Sequence, residues 1–387
     1  MMDNRTGKPA AGTFKPYDQE THLNALYENV SGTYAFRATD PEGLSSWQAA
    51  FRPKLREALG LDNMASDLSG HVPKAERLES TDLGSHVRER WYLWVEPTVP
   101  LPFYLLLPKG VKRGDTGTGT GAAGGTGTGA ATDGTDRDEA LPLILVPHGH
   151  THPHIYVGIS RDAAEEAHMM EGERDIARQA AAEEGYIVIA PTTRAFGETR
   201  TAKDIEADKI HSCRDQLVHD LLLGRTPIGE RVWDTSRLID WAVANLPIDA
   251  GRIAITGNSG GGTISLFASA CDTRIALSMP GCYFCTFVGS IGTIHHCECN
   301  YVPGLLRMGE MYDVAGLIAP RPFCAIAGRH DPIFPIDHVH EAFDRLKAVY
   351  EVAGAGDKCE LAVGEGGHRF FKTPAWDFVR RHFGARA

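Results

Sequence analysis

Three polar side chains stand in glycine-flanked segments from which a nucleophile, an acid and a base could be presented. Ser259 is centred in Gly257-Asn258-Ser259-Gly260-Gly261-Gly262, Asp331 lies in Gly328-Arg329-His330-Asp331-Pro332, and His368 closes Gly364-Glu365-Gly366-Gly367-His368. A serine hydroxyl is a weak nucleophile until an adjacent imidazole takes its proton. The imidazole in turn needs a carboxylate to fix its tautomer and to stabilise its positive charge. Chemistry of this kind is acyl transfer to Ser259 followed by hydrolysis of the covalent ester. The chain order, serine then acid then histidine, is the one expected when G-x-S-x-G sits between a strand and a helix. Rival residues are placed less well. Asp337 falls at a helix start, His338 and His340 follow the acid too closely, and His382 beside Arg380 and Arg381 reads as a solvated helix-end charge.

The tetrahedral oxyanion of such a reaction needs two backbone N–H donors. Gly260, which follows the nucleophile, supplies one. The second is expected from His148-Gly149-His150-Thr151, with the backbone of His150 favoured and Thr151 as the alternative register. His148, His150, His152 and His154 alternate along an extended chain, but no carboxylate or cysteine stands beside them in sequence to complete a metal set. A second group, Cys282, Cys285, His295, His296, Cys297, Glu298 and Cys299, offers thiol pairs and imidazoles of the kind that hold zinc. Its Cys-x-Cys spacing is unusual and its surroundings are aromatic, so the expectation is a pocket wall or partial cap over 281–316 with buried thiols. Neither a metal nor a cofactor is expected.

These side chains need a scaffold that ends several strands at one edge. From residue 141 onward, apolar strand and amphipathic helix alternate. Strands are predicted at 143–146, 186–190, 252–256, 275–279, 322–327 and 359–363. Helices are predicted at 173–184, 234–245, 263–270, 335–352 and 374–383. Such alternation predicts an α/β fold, a mostly parallel central sheet with helices on both faces. Its site lies at the carboxyl ends of the strands. Upstream, Trp47, Phe51, Leu55 and Leu59 recur every four residues within 44–61, which predicts a helix kinked at Pro53 or beginning near it. The predicted organisation is a small N-terminal helical extension (1–85, its first 20 residues loose) on an α/β domain (86–387). That domain opens with strands at 90–95 and 102–107 and carries a flexible Gly/Thr-rich insertion (110–139).

Bulk composition sets outer limits. The chain has 387 residues, 42% of them hydrophobic, and a formal net charge of −11. A large core is therefore feasible, while a nucleic-acid surface is disfavoured. No apolar run reaches membrane-spanning length, and Met1-Met2-Asp3-Asn4-Arg5 opens no signal-like apolar segment. Eight cysteines in that context read as reduced thiols, and a cytoplasmic location is expected. Homo-oligomerisation stays open.

The chain resembles the acetyl xylan esterase-like branch of the α/β-hydrolases, near the dienelactone-hydrolase-like enzymes. Carrying the resemblance are 47–61, His148-Gly149-His150, Arg194-Ala195-Phe196-Gly197-Glu198, the turn at Ser259, 295–304, 328–335 and Gly366-Gly367-His368. What it implies is an α/β-hydrolase fold and a serine carboxylic-ester hydrolase acting on short acyl esters such as acetate on sugars. Arg194 and Glu198 are then expected to line the substrate pocket, or equally to form a structural ion pair. A peptidase or thioesterase on the same fold is the near alternative. A non-catalytic binding module and a zinc-dependent protein are the distant ones.

Overall fold

The computed structural model describes residues 18–30, 32–111 and 140–384. Of the expected loose start (1–20) only residues 18–20 are described, and there the helix Gln19–Glu28 already begins, capped by Asp18. All but the first two residues of the Gly/Thr-rich insertion lie outside the described residues. Nine strands form one sheet: β1 Ala75–Asp82, β2 His86–Glu96, β3 Val99–Pro108, β4 Leu141–Leu145, β5 Ile187–Pro191, β6 Ile248–Asn258, β7 Leu277–Gly281, β8 Phe323–Gly328 and β9 Cys359–Gly364. Their spatial order is β1-β2-β3-β5-β4-β6-β7-β8-β9. The first three pair antiparallel and β3 meets β5 antiparallel, after which every pairing is parallel. Strands β5, β7 and β8 are buried along their whole length. β5 and β8 therefore read as apolar runs, while β7 carries Ser278, whose hydroxyl donates to the Ser265 carbonyl at 3.2 Å. β1, Ala-Glu-Arg-Leu-Glu-Ser-Thr-Asp, is almost wholly exposed at the sheet edge. It has no apolar alternation to announce it, and only its hydrogen bonds to β2 make it a strand.

Alternate residues of the central strands feed two apolar layers. Leu143, Leu145, Ile253 and Ile255 point to one, together with the N-terminal helices and the helices at Pro227–Asn245, Gly260–Cys271 and Ile336–Val352. Ile144, Val146 and Ala254 point to the other, covered by the helical segment from Ile176 and by the helix Lys372–Phe383. Both faces of the central strands are thus sealed, whereas toward the β1 edge alternate residues of β2 (Arg88, Arg90, Tyr92 and Trp94) stay partly exposed.

Element ends differ from expectation where capping outweighs periodicity. The helix predicted within 44–61 runs Pro41–Ala58, started by Asp40, whose carboxylate accepts the Gly43 N–H at 2.8 Å. It continues through Pro53, and a separate short helix, Leu61–Asp67, follows. Phe51, Leu55 and Leu59 are fully buried. Arg52 donates to the carbonyls of Ala270 and Leu317, and Gln48 to those of Gly316 and Ala319, fastening this helix to the main domain. The helix expected at 234–245 begins at Pro227 with Thr226 as its cap. The helix expected at 173–184 is a short turn, Ile176–Arg178, that widens into a π turn over Gln179–Glu183.

Candidate active site

Strand β6 ends at Asn258 and the helix Gly260–Cys271 begins two residues later, leaving Ser259 alone at the corner. Its backbone has φ 59° and ψ −118°, a conformation that costs a non-glycine residue on the order of 1–3 kcal/mol. The flanking glycines make this corner sterically feasible. A Cβ at either Gly257 or Gly261 would lie 2.2 Å from the Pro147 carbonyl oxygen. The corner is locked by the Ser259 N–H donating to the Gly281 carbonyl at 2.8 Å.

Asp331 follows β8 and His368 follows β9, so neighbouring parallel strands deliver both side chains to the same edge. Asp331 is buried, and its Oδ2 lies 2.7 Å from His368 Nδ1. Its Oδ1 accepts the N–H groups of Ile333 and Phe334 at 3.0 and 3.2 Å. The carboxylate is therefore fully engaged and cannot swing away. The Phe334 ring stacks on the His368 ring with centroids 5.8 Å apart. Ser259 and His368 line one cavity of about 480 Å³, and no direct hydrogen bond joins them. Asp337, the rival acid, is exposed in the first turn of the helix Ile336–Val352, which also carries His338 and His340. His382 packs on Phe378.

The expected oxyanion loop lies against Ser259. A Cβ at Gly149 would sit 2.5 Å from the Asn258 carbonyl oxygen and 3.1 Å from Ser259 Cβ. The Thr151 N–H donates to the Gly149 carbonyl at 2.8 Å, whereas no described hydrogen bond uses the N–H of His150 or of Gly260. The His150 N–H is thereby left available, while the Thr151 N–H is engaged.

The four alternating histidines separate. His148 is buried, with Nδ1 2.7 Å from the Gly149 carbonyl oxygen and Nε2 accepting the Thr193 N–H at 2.9 Å. Burial pushes it down to about 3, so it stays neutral. His152 stacks on His154, which meets Glu165 at 3.1 Å. Only His150 and Thr151 of this stretch, with Gly149, line the Ser259 cavity.

The expected cysteine group also divides. Cys282 comes close enough to Asp331 and His368 for its thiol to share their surroundings. Burial first, and then the Asp331 carboxylate, push that thiol up and keep it neutral. Cys285 lies near the Pro335 carbonyl. Cys297 and Cys299 meet Cys213 and His150 instead, a grouping invisible in sequence because Cys213 lies some eighty residues upstream. His295, His296, Cys297, Glu298 and Asn300 do form a wall of the Ser259 cavity. None of the eight cysteines is in a disulfide.

Arg194 and Glu198 do not line that cavity; both line a neighbouring one. Arg194 is buried among Glu96 (2.6 Å), Asp234 (2.6 Å) and Glu230 (3.3 Å). Glu198 pairs with Arg90. The ion-pair alternative describes Arg194, although its partners lie far along the chain rather than at Glu198.

Comparison with known proteins places the architecture. An inferred acetyl xylan esterase from Bacteroides fragilis NCTC 9343 superposes with a TM-score of 0.70 at 16% identity, covering 91% of this chain and 83% of that one. The fold is that of the α/β-hydrolases. A glucuronoyl esterase from Solibacter usitatus superposes with a TM-score of 0.60 at 13% identity, over 92% of this chain and 99% of the other. In sequence, the inferred hydrolase YtaP of Bacillus subtilis (strain 168) is 28% identical over 187 residues. That stretch is 48% of this chain and 60% of YtaP, so the match spans less than two thirds of the relative's length. No family model matches the chain. Among the described residues, no helix is long and apolar enough to cross a membrane.

Proposed function

We propose that the protein is a serine carboxylic-ester hydrolase in which Ser259 is the nucleophile, His368 the base and Asp331 the orienting acid. The observation that carries the reading is the 2.7 Å contact between Asp331 Oδ2 and His368 Nδ1 at the cavity that also holds the strained Ser259 corner. In this reading His368 takes the Oγ proton as Ser259 attacks the ester carbonyl. The oxyanion is held by the N–H groups of Gly260 and His150, and protonated His368 returns its proton to the departing alcohol. Water then attacks the acyl-enzyme, giving up a proton to His368. The acid leaves and Ser259 is restored.

The cavity supports a short acyl group on a polar alcohol. Its volume is modest and its walls carry Thr151, His211, His295, Glu298 and Asn300, with Ile333 and Phe334 as the apolar patch. Walls of this kind favour hydroxyl-rich leaving groups over long acyl chains. The carbohydrate esterases among the structural neighbours agree with that class.

Hydrolysis of p-nitrophenyl esters of increasing acyl length tests the reading. The expected result is highest kcat/KM for acetate and a loss on the order of 10⁶ in kcat for Ser259→Ala, with the fold retained. Equal turnover by the variant would sink the proposal, and a preference for peptide anilides would move the chain to the peptidases.

A further inference from the structure

We infer that His150, Cys213, Cys297 and Cys299 form a tetrahedral binding site for a zinc ion beside Ser259. One ligand atom from each of the four residues lies within 4.8 Å of all the others. A tetrahedral ion with bonds of about 2.3 Å to sulfur and about 2.0–2.1 Å to nitrogen holds its sulfur atoms roughly 3.8 Å apart. The same geometry holds sulfur and nitrogen roughly 3.6 Å apart. His150 Nε2 and Cys299 Sγ already stand 3.5 Å apart. Three sulfurs and one imidazole form a closed structural donor set, and softness favours zinc over hard cations.

A second observation concerns charge. Arg231 is buried, and among the described residues it forms no ion pair with a carboxylate. Its Nη2 reaches Cys213 Sγ at 3.6 Å, and its Nε has no hydrogen-bond partner. A buried guanidinium needs a nearby negative charge. Three thiolates around a divalent ion carry one net negative charge, which matches it. On binding, the three thiols release three protons to solvent and neutral His150 donates through Nε2.

The four ligands come from three connections at the carboxyl edge of the sheet. His150 follows β4, Cys213 opens the helix Cys213–Leu222 between β5 and β6, and Cys297 with Cys299 follow β7. A bound ion would therefore clip these connections together. It would also fix the His150 ring, whose Nδ1 lies 3.3 Å from the Cβ position of Gly260.

Metal analysis of the full chain, purified with reductant and supplied with zinc, tests the site without any ester assay. The expected content is about one zinc per chain, falling below about a tenth in Cys213→Ser and Cys299→Ser and unchanged in Cys285→Ser. Because a serine variant could fold poorly, wild-type protein is also stripped and refilled with cobalt(II). Thiolate-to-cobalt charge-transfer absorption and tetrahedral d–d bands are expected, together with a melting temperature that rises with metal. Iron in place of zinc, no cobalt–thiolate bands, or full zinc content in the Cys213→Ser protein each overturns the inference.

Discussion

At the scale of single residues, the Asp331 carboxylate is the most constrained group in the site. One oxygen meets His368 Nδ1 and the other accepts two backbone N–H groups. Asp331→Asn keeps much of that geometry but offers an amide where the histidine needs an acceptor. It is expected to lower kcat by about 10⁴ with little change in melting temperature, measured by steady-state kinetics beside a thermal melt. Gly149 is constrained by space alone. A methyl group there meets Asn258 O at 2.5 Å, so Gly149→Ala must push the oxyanion loop away from Ser259. Its expected signature is a fall in kcat of about 10²–10³ at nearly unchanged KM. Unaltered kcat in that variant would remove the loop from the mechanism. Ser259, Asp331 and His368 were each legible in the sequence because glycine and proline neighbours mark strand-end turns. Cys213 was not, since nothing local distinguishes it from any buried thiol.

At the scale of elements, the helices connecting β5 to β6 carry a buried ionic network that periodicity does not reveal. Arg194 and Arg225 face Glu96, Glu230 and Asp234, and Asp220 on the helix Cys213–Leu222 lies beside them with Oδ2 unpartnered. Burial, then repulsion from Glu230, push Asp220 up to about 7. A raised folded-state value means that the folded chain holds this proton more tightly than the unfolded one. The associated stability is complete below about pH 4 and is lost as pH rises through about 7. Urea denaturation at pH 5 and pH 8 should show this decline, on the order of a few kcal/mol, and Asp220→Asn should flatten it. Equal pH dependence in the two proteins would place the titration elsewhere. The helix starts at Pro41 and Pro227, set by the caps Asp40 and Thr226, lie upstream of the starts that apolar spacing predicted, because spacing locates a helix body and not its first turn.

Taken as a whole, the molecule depends on the helix Pro41–Ala58 as part of the core. Phe51, Leu55 and Leu59 are fully buried, the Phe51 ring stacks on Tyr34 with centroids 5.1 Å apart, and Arg52 reaches the carbonyl of Ala270, near the end of the nucleophile helix. Phe51→Ala is expected to destabilise the entire chain by about 3–5 kcal/mol in a single unfolding transition. An early, separate transition in that variant would show instead that the extension unfolds alone.

Local sequence determined the α/β alternation, the corner at Ser259, and the placing of Asp331 and His368 at later strand ends. Each of these depends on backbone conformations and apolar periods set by residues a few positions apart. The tertiary structure alone decided who meets whom across long separations. It placed β1 at an edge by pairing rather than by pattern. It withdrew Arg194 from the Ser259 cavity into an ion network with Glu96, Glu230 and Asp234. It also split the expected cysteine group and brought Cys297 and Cys299 to His150 and Cys213. The reason is physical: charge pairing and ligand clustering depend on distance in space, and the crossover connections of a parallel sheet bring distant segments together at its carboxyl edge.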